Sequence, residues 1–151
     1  MQGTTTKTVI DVLNKQLSNF SVMYVKLHNY HWLVTGGDFY DLHEKFEEFY
    51  TETAQYMDDL AERILALNGK PVGTMRDFLQ TASITEASRN ETPEQMVQNI
   101  SNDFNTMISE ITQGTEVADR ENDGPTTDML NHIRATLEKQ NWMLKSFLSK
   151  S

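Results

Sequence analysis

Four stretches of this chain repeat apolar residues at helical spacing, and one of the gaps between them is 25 residues long, positions 68 to 92. Apolar residues recurring every three or four positions make one face of an α-helix that must be buried. In the first stretch they are Ile10, Leu13, Leu17, Phe20, Tyr24 and Leu27. Gly36 and Gly37 end it, and Asp38 is a suitable N-cap for the next. The second carries Leu42, Phe46, Phe49, Tyr56, Leu60, Ile64 and Leu67, and "NGKP" at 68 to 71 stops it. Thr92 as N-cap with Pro93 behind it opens the third, striped by Val97, Ile100, Phe104, Ile108 and Ile111. "NDGP" at 122 to 125 breaks the chain again, and the fourth carries Leu130, Ile133, Leu137, Leu144 and Leu148.

An up-down-up-down bundle needs only short loops, so 25 residues in the middle demand another topology. Two helical hairpins joined by a long connection predict an all-α, ferritin-like four-helix bundle with one crossover. The crossover contains one short amphipathic piece, "MRDFLQ", predicted as a short helix. The length fits one domain, residues 1–151.

Composition narrows the chemistry. There is no cysteine, which excludes disulfides, thiol catalysis and thiolate-held metals. Any metal site must use histidine and carboxylate, a set suited to iron, manganese or zinc. The net charge of −9 argues against wrapping DNA by charge alone. The first 20 residues are periodic rather than solidly apolar, so they do not read as a signal peptide. No stretch is apolar enough to span a membrane. The expectation is a soluble, cytoplasmic protein.

Three of the four histidines crowd into "HNYHWLVTGGDFYDLHE", residues 28 to 44. At roughly 100° per residue, His31 falls at the centre of the first helix's apolar stripe and His28 toward its edge. A histidine on an apolar face is either a ligand or a hydrogen-bonded core residue, and spacing alone does not choose. On the second helix, His43, Glu47, Tyr50, Ala54, Asp58, Ala61 and Leu65 form a second band, with Glu62 at its margin. A purely solvated face has no use for Tyr50, Leu65 and two alanines in one row. The band reads as a surface that packs on another subunit.

His43 and Glu47, and likewise Asp58 and Glu62, are i,i+4 neighbours whose side chains can grip one cation. Carboxylates so spaced can equally be a solvated face, ion-paired to Lys45 or Arg63. His43 and Asp58 are 15 positions apart, roughly 22 Å along a helix, so they cannot share a metal within one chain. Two such helices packed antiparallel about a two-fold axis could bring His43 and Glu47 of one to Asp58 and Glu62 of the other. His31, just before the turn, would lie near His43, just after it. The intrabundle di-iron pattern needs Glu-x-x-His pairs, and no histidine here has Glu three residues before it. Iron oxidation by this bundle would therefore occur at a subunit interface.

"LHNYHWLVTGGDFYDLHEKFEEFY" followed by "DDLAERILALNGKPV" resembles the Dps family, the mini-ferritins, in the form found in Gram-positive bacteria. The resemblance runs on through "ASITEAS", "TTDML" and "EKQNWMLKSFL", covering nearly the whole chain. It implies a hollow dodecamer with ferroxidase centres at two-fold interfaces. It implies His31, His43 and Glu47 of one subunit, with Asp58 and Glu62 of its partner, as iron ligands. Many members have Asp where Glu47 stands, and Glu carries the same group on a longer arm. Trp32 is similar to the family's tryptophan beside the site, and Trp142 is a further candidate neighbour. The implied reaction oxidises Fe(II) to Fe(III), preferentially with hydrogen peroxide, stores ferric mineral inside the shell and protects against oxidative stress.

Glu44 and Glu48 are candidate nucleation carboxylates, or else solvated helix residues. Asp123 and Asp128 in "NDGPTTDML" match the family's acidic three-fold pores, although an acid in a helix's first turn is also favoured by the helix dipole. DNA-binding members often carry a Lys/Arg-rich tail. Here only Lys7 lies near the N-terminus, with Lys145 and Lys150 near the other end, so strong direct DNA binding is not expected. The alternatives are a nucleoid-associated, DNA-compacting protein with incidental metal binding, and a helical scaffold whose His and Asp are not ligands. The missing basic tail opposes the first, and the His31/His43/Asp58/Glu62 spacing the second. His28 has no assigned role.

Overall fold

A computed structural model describes residues 7–149. The first helix, α1 (Val9–Leu33), opens on a capping box: Thr8 Oγ1 accepts from Asp11 N, and the Asp11 carboxylate accepts from Thr8 N. These bonds satisfy amide protons that the first helical turn leaves unpaired. The second helix, α2 (Phe39–Ala66), begins after Asp38 as expected, but the Asp38 side chain makes no capping bond. The short amphipathic piece is α3 (Met75–Thr81), capped by Thr74. Thr92 and Gln95 form a second capping box for α4 (Pro93–Arg120), with Pro93 in the first turn. The last helix, α5 (Gly124–Leu148), is capped by Asp123. Among the described residues there is no strand, and no helix is long and apolar enough to cross a membrane.

The side-chain bridges show how the helices run. Gln16 reaches Glu110 and Lys26 reaches Asp103, so α1 and α4 are antiparallel. Arg63 reaches Thr126 and Glu52 meets Gln140, so α2 and α5 are antiparallel. Since α1 and α2 form a hairpin, α2 and α4 run parallel. The chain leaving α2 must therefore return the whole length of a 28-residue helix, roughly 42 Å, before α4 can start. That is the physical need for the long connection.

Leu13, Phe20 and Leu27 of α1 meet Phe46, Leu60 and Ile64 of α2, Ile100, Phe104 and Ile111 of α4, and Leu130, Ile133 and Leu137 of α5 in one buried core. At Gly114 of α4 the backbone comes so close to α1 that an added Cβ would lie 2.5 Å from Val12 Cγ1. The crossover is held by polar side chains of α1. Lys15 Nζ donates to Thr81 O at 2.7 Å, and the Asn19 side-chain carbonyl accepts from Ser83 N at 2.8 Å. Lys26, only 4% exposed, donates to Thr85 O and to the Asp103 carboxylate. A buried ammonium is tolerable only when paired and hydrogen-bonded, and this one is both. Burial still pushes the Asp103 carboxyl up, against the pull of Lys26.

Candidate metal centre

The site begins with the turn between α1 and α2. Val34 closes α1 by donating to Tyr30 O at 3.0 Å. Gly36 then takes φ +101°, a left-handed conformation that glycine adopts without strain. Its carbonyl accepts from Phe39 N at 3.1 Å, and α2 starts back along α1. This return sets His31 beside His43.

The two histidines lock each other. His31 Nδ1 lies 2.7 Å from His43 O, and His43 Nδ1 lies 2.7 Å from His31 O. A carbonyl can only accept, so each Nδ1 carries its proton and donates. In the neutral ring this puts the lone pair on Nε2, the tautomer a metal ligand needs. The rings stack with centroids 3.7 Å apart and planes 13° from parallel. Phe39 stacks on the outer side of His43 at 4.9 Å. His31 is buried, and its Nε2 stands 3.9 Å from Glu47 Oε1. His31 Nε2 and the Glu47 carboxylate thus meet at one corner of the bundle with the His43 ring stacked alongside, residue types suited to a borderline divalent transition ion.

Asp58 and Glu62 are not in that corner. They lie on the same helix, exposed, 15 and 19 positions beyond His43. Among the described residues no three His, Asp or Glu side chains of one chain come together closely enough to hold a metal ion. Large apolar side chains stay exposed at both ends of the hairpin: Trp32 is 68% exposed and Leu33 is exposed near the turn, and Leu65, 58% exposed, lies at the far end of α2.

His28 repeats the pattern of the other two. Its Nδ1 lies 2.8 Å from Tyr24 O. Its ring lies flat on Tyr50 at 3.7 Å, and Tyr50 meets His31 nearly perpendicularly at 5.3 Å. Trp32 meets His28, with ring centroids 5.3 Å apart, rather than His31 or His43. Trp142, on α5, is 65% exposed. Glu44 and Glu48 line an open hollow with His43, Glu47 and Glu52, and Glu48 is paired with Lys45 at 2.7 Å.

The two candidate pore residues separate. Asp123 is turned inward: its carboxylate accepts from Arg63 at 2.7 Å, from Thr126 N at 3.1 Å and from Thr126 Oγ1 at 2.6 Å. Burial pushes its carboxyl up, but the Thr126 and Arg63 hydrogen bonds outweigh this and hold it below the usual carboxylate range. Asp128 is exposed one turn further along α5. Asp119, which sequence reasoning did not single out, is exposed at the end of α4 and accepts from Thr127 Oγ1 at 2.9 Å.

The sequence also left Phe39 and Tyr50 without a part in the site. Phe39 is four residues before His43, a spacing that signals contact on a helix. The His28–Tyr50 stack crosses between helices and leaves no such mark.

Known proteins resemble this chain in sequence and in fold. A family model described as a ferritin-like domain matches residues 10–151. The chain is 58% identical over 140 residues to general stress protein 20U of Bacillus subtilis, covering 93% of this chain and 97% of that one. It is 51% identical to DNA protection during starvation protein 2 of Bacillus anthracis, covering 95% and 99%. Dps from Staphylococcus aureus superposes with a TM-score of 0.94 at 43% identity, over 95% of this chain and 96% of that chain. A Listeria innocua Dps soaked with zinc superposes with a TM-score of 0.90 at 38% identity, over 95% and 97%. A helical bundle with one crossover, matched along nearly its full length by these relatives, belongs to the Dps family of ferritin-like proteins.

Proposed function

We propose that this protein oxidises Fe(II) at sites shared by two subunits and stores the ferric product in a hollow dodecamer. The observation that carries the reading is the His31–His43 lock. It sets His31 Nε2 near Glu47 with the His43 ring stacked alongside, yet leaves the ligand set incomplete within one chain. Asp58 and Glu62 of a two-fold partner complete it. A C₂ interface supplies two equivalent sites in one step, and the exposed Trp32, Leu33 and Leu65 are the apolar surface such an interface covers.

Iron is the substrate. His31, His43 and Glu47 bind it from one side, and the partner's carboxylates close the site. Two Fe(II) each give one electron to one hydrogen peroxide. The O–O bond breaks, its oxygens leave as water or enter ferric oxyhydroxide, and hydrolysis of the Fe(III) releases protons. Consuming peroxide and Fe(II) together limits hydroxyl radical, so the protein protects against oxidative stress. Glu44 and Glu48 face a hollow where ferric clusters can nucleate, and Asp128 is the candidate pore residue that remains outward-facing. A soluble, cytoplasmic setting suits this chemistry. The Bacillus anthracis relative is named for DNA protection, but a net charge of −9 stands against strong direct DNA binding here.

The test uses the full chain. Anaerobic Fe(II) should quench the tryptophan fluorescence contributed by Trp32, and added peroxide should then build a ferric absorbance that stays with the protein. Iron that neither quenches nor remains protein-bound would overturn the reading.

A further inference from the structure

Three aromatic rings beyond the ligands meet at the metal corner, and their geometry suggests a purpose for His28. A ligand imidazole must hold its Nε2 within about half an ångström of its working position. Rotation about the Cα–Cβ and Cβ–Cγ bonds of a histidine displaces that atom and turns its lone pair. On His31 the Nδ1 bond to His43 O and the stack on the His43 ring resist rotation from one side. On another side stands Tyr50, with centroids 5.3 Å apart and planes at 85°. Tyr50 is itself on the half-buried band of α2, three residues after Glu47. His28 lies flat on Tyr50 at 3.7 Å and 21°, and Tyr24 meets both rings at 4.6 and 6.1 Å. His28 cannot swing away, because its Nδ1 is tied to Tyr24 O at 2.8 Å.

We propose that Tyr50 and His28 are positioning residues of the iron site: Tyr50 fixes the plane of the His31 imidazole, and His28, stacked on Tyr50 and anchored to the α1 backbone, fixes Tyr50. The inference rests on the metal-site reading above and gives it a supporting shell. Aromatic contacts of this geometry are strong enough to bias a ring torsion. Groups that orient a metal-bound histidine typically change metal affinity about 10- to 100-fold when removed. Tyr50 does not need its hydroxyl for this task, whereas His28 uses its Nδ1 only as an anchor to the backbone.

The experiment measures anaerobic Co(II) binding to the full-length, assembled protein by visible absorption. His31→Ala/His43→Ala defines the signal that belongs to the site. Tyr50→Ala should weaken that signal's affinity about 10-fold or more, and Tyr50→Phe should stay within about threefold of the parent. His28→Ala should weaken it, and His28→Phe, which keeps a flat ring but loses the bond to Tyr24 O, should recover part of the loss. Oligomer size and helicity are followed throughout, so that a folding defect is not counted as lost affinity. If Tyr50→Phe is as weak as Tyr50→Ala, the hydroxyl acts directly and positioning is wrong. If both alanine variants bind as the parent does, the shell is idle. If the parent and the double histidine variant give the same spectrum, the metal-site reading itself fails.

Discussion

His31 and His43 each donate from Nδ1 to the other's backbone carbonyl, both at 2.7 Å. The hairpin is therefore fastened by the same two side chains proposed as iron ligands. Structure and chemistry are coupled here, because losing one ring removes the stack that steadies the other. Residues that act as a unit give non-additive losses. His31→Ala and His43→Ala should each slow peroxide-driven Fe(II) oxidation by about 10-fold or more, and the double variant should be little worse than either. Stopped-flow absorbance at matched protein concentration checks this. Losses that multiply would show two independent sites instead.

Asp123 and Asp128 should differ sharply when replaced. Asp123 caps α5 and takes the Arg63 ion pair in a partly buried setting. Losing an N-cap costs about 1 kcal/mol, and the stranded guanidinium adds to it. Asp123→Ala should thus lower unfolding stability by about 1–3 kcal/mol and leave the ligand residues untouched. Asp128→Ala, at an exposed position, should stay within about 0.5 kcal/mol of the parent yet slow iron uptake several-fold at limiting iron. Denaturant unfolding and iron incorporation, measured on both variants, separate the roles.

Glu91 predicts the acid behaviour of the crossover. Burial pushes its carboxyl up, but hydrogen bonds from Ser88 and Tyr30 prevail and bring its pKa down from 4.5 to about 2. A depressed carboxylate contributes stability that is fully present above its unfolded pKa and is lost as pH falls through the folded value. The window is therefore pH 4.5 down to about 2. The parent should be more stable than Glu91→Gln at pH 6, and the gap should close across that window. A gap independent of pH would show that the charge contributes nothing.

Gly114 should resist even the smallest substitution. An alanine there gains helix propensity but places Cβ 2.5 Å from Val12 Cγ1 and 3.5 Å from a Leu130 methyl. Overpacking of this kind costs about 1–3 kcal/mol, more than the propensity returns. Gly114→Ala should therefore lower the melting temperature, and Val12→Ala added to it should cost less than Val12→Ala alone. Additive losses would place the strain elsewhere.

How much of this was legible in the sequence differs by feature. The helices, the crossover and the Thr92/Pro93 start were readable because each is a local signal within a few residues. His31 and His43 were readable as neighbours because a hairpin folds symmetrically about its turn. Their mutual backbone hydrogen bonds were not, since ring rotation is set by contacts rather than spacing. Asp123 looked like a free acid because its partner Arg63 stands 60 positions away. Asp38 sat at the expected boundary, yet its side chain takes no part in capping. The polar anchors of the crossover, Asn19 and Lys26, fall within the α1 pattern and reveal nothing until the loop lies over them.

The central claim is that the site is built from two chains, and complementation tests it most directly. One variant lacks the histidine half (His31→Ala/His43→Ala), and the other lacks the carboxylate half (Asp58→Ala/Glu62→Ala). Each alone should oxidise Fe(II) at the background rate. Co-expressed and randomly assembled, half of the two-fold pairs are mixed, and each mixed pair holds one intact site and one empty of ligands. The co-assembled shell should then recover about a quarter of the parent's fast oxidation. A mixed shell no faster than its two inactive parents would contradict a site shared between subunits.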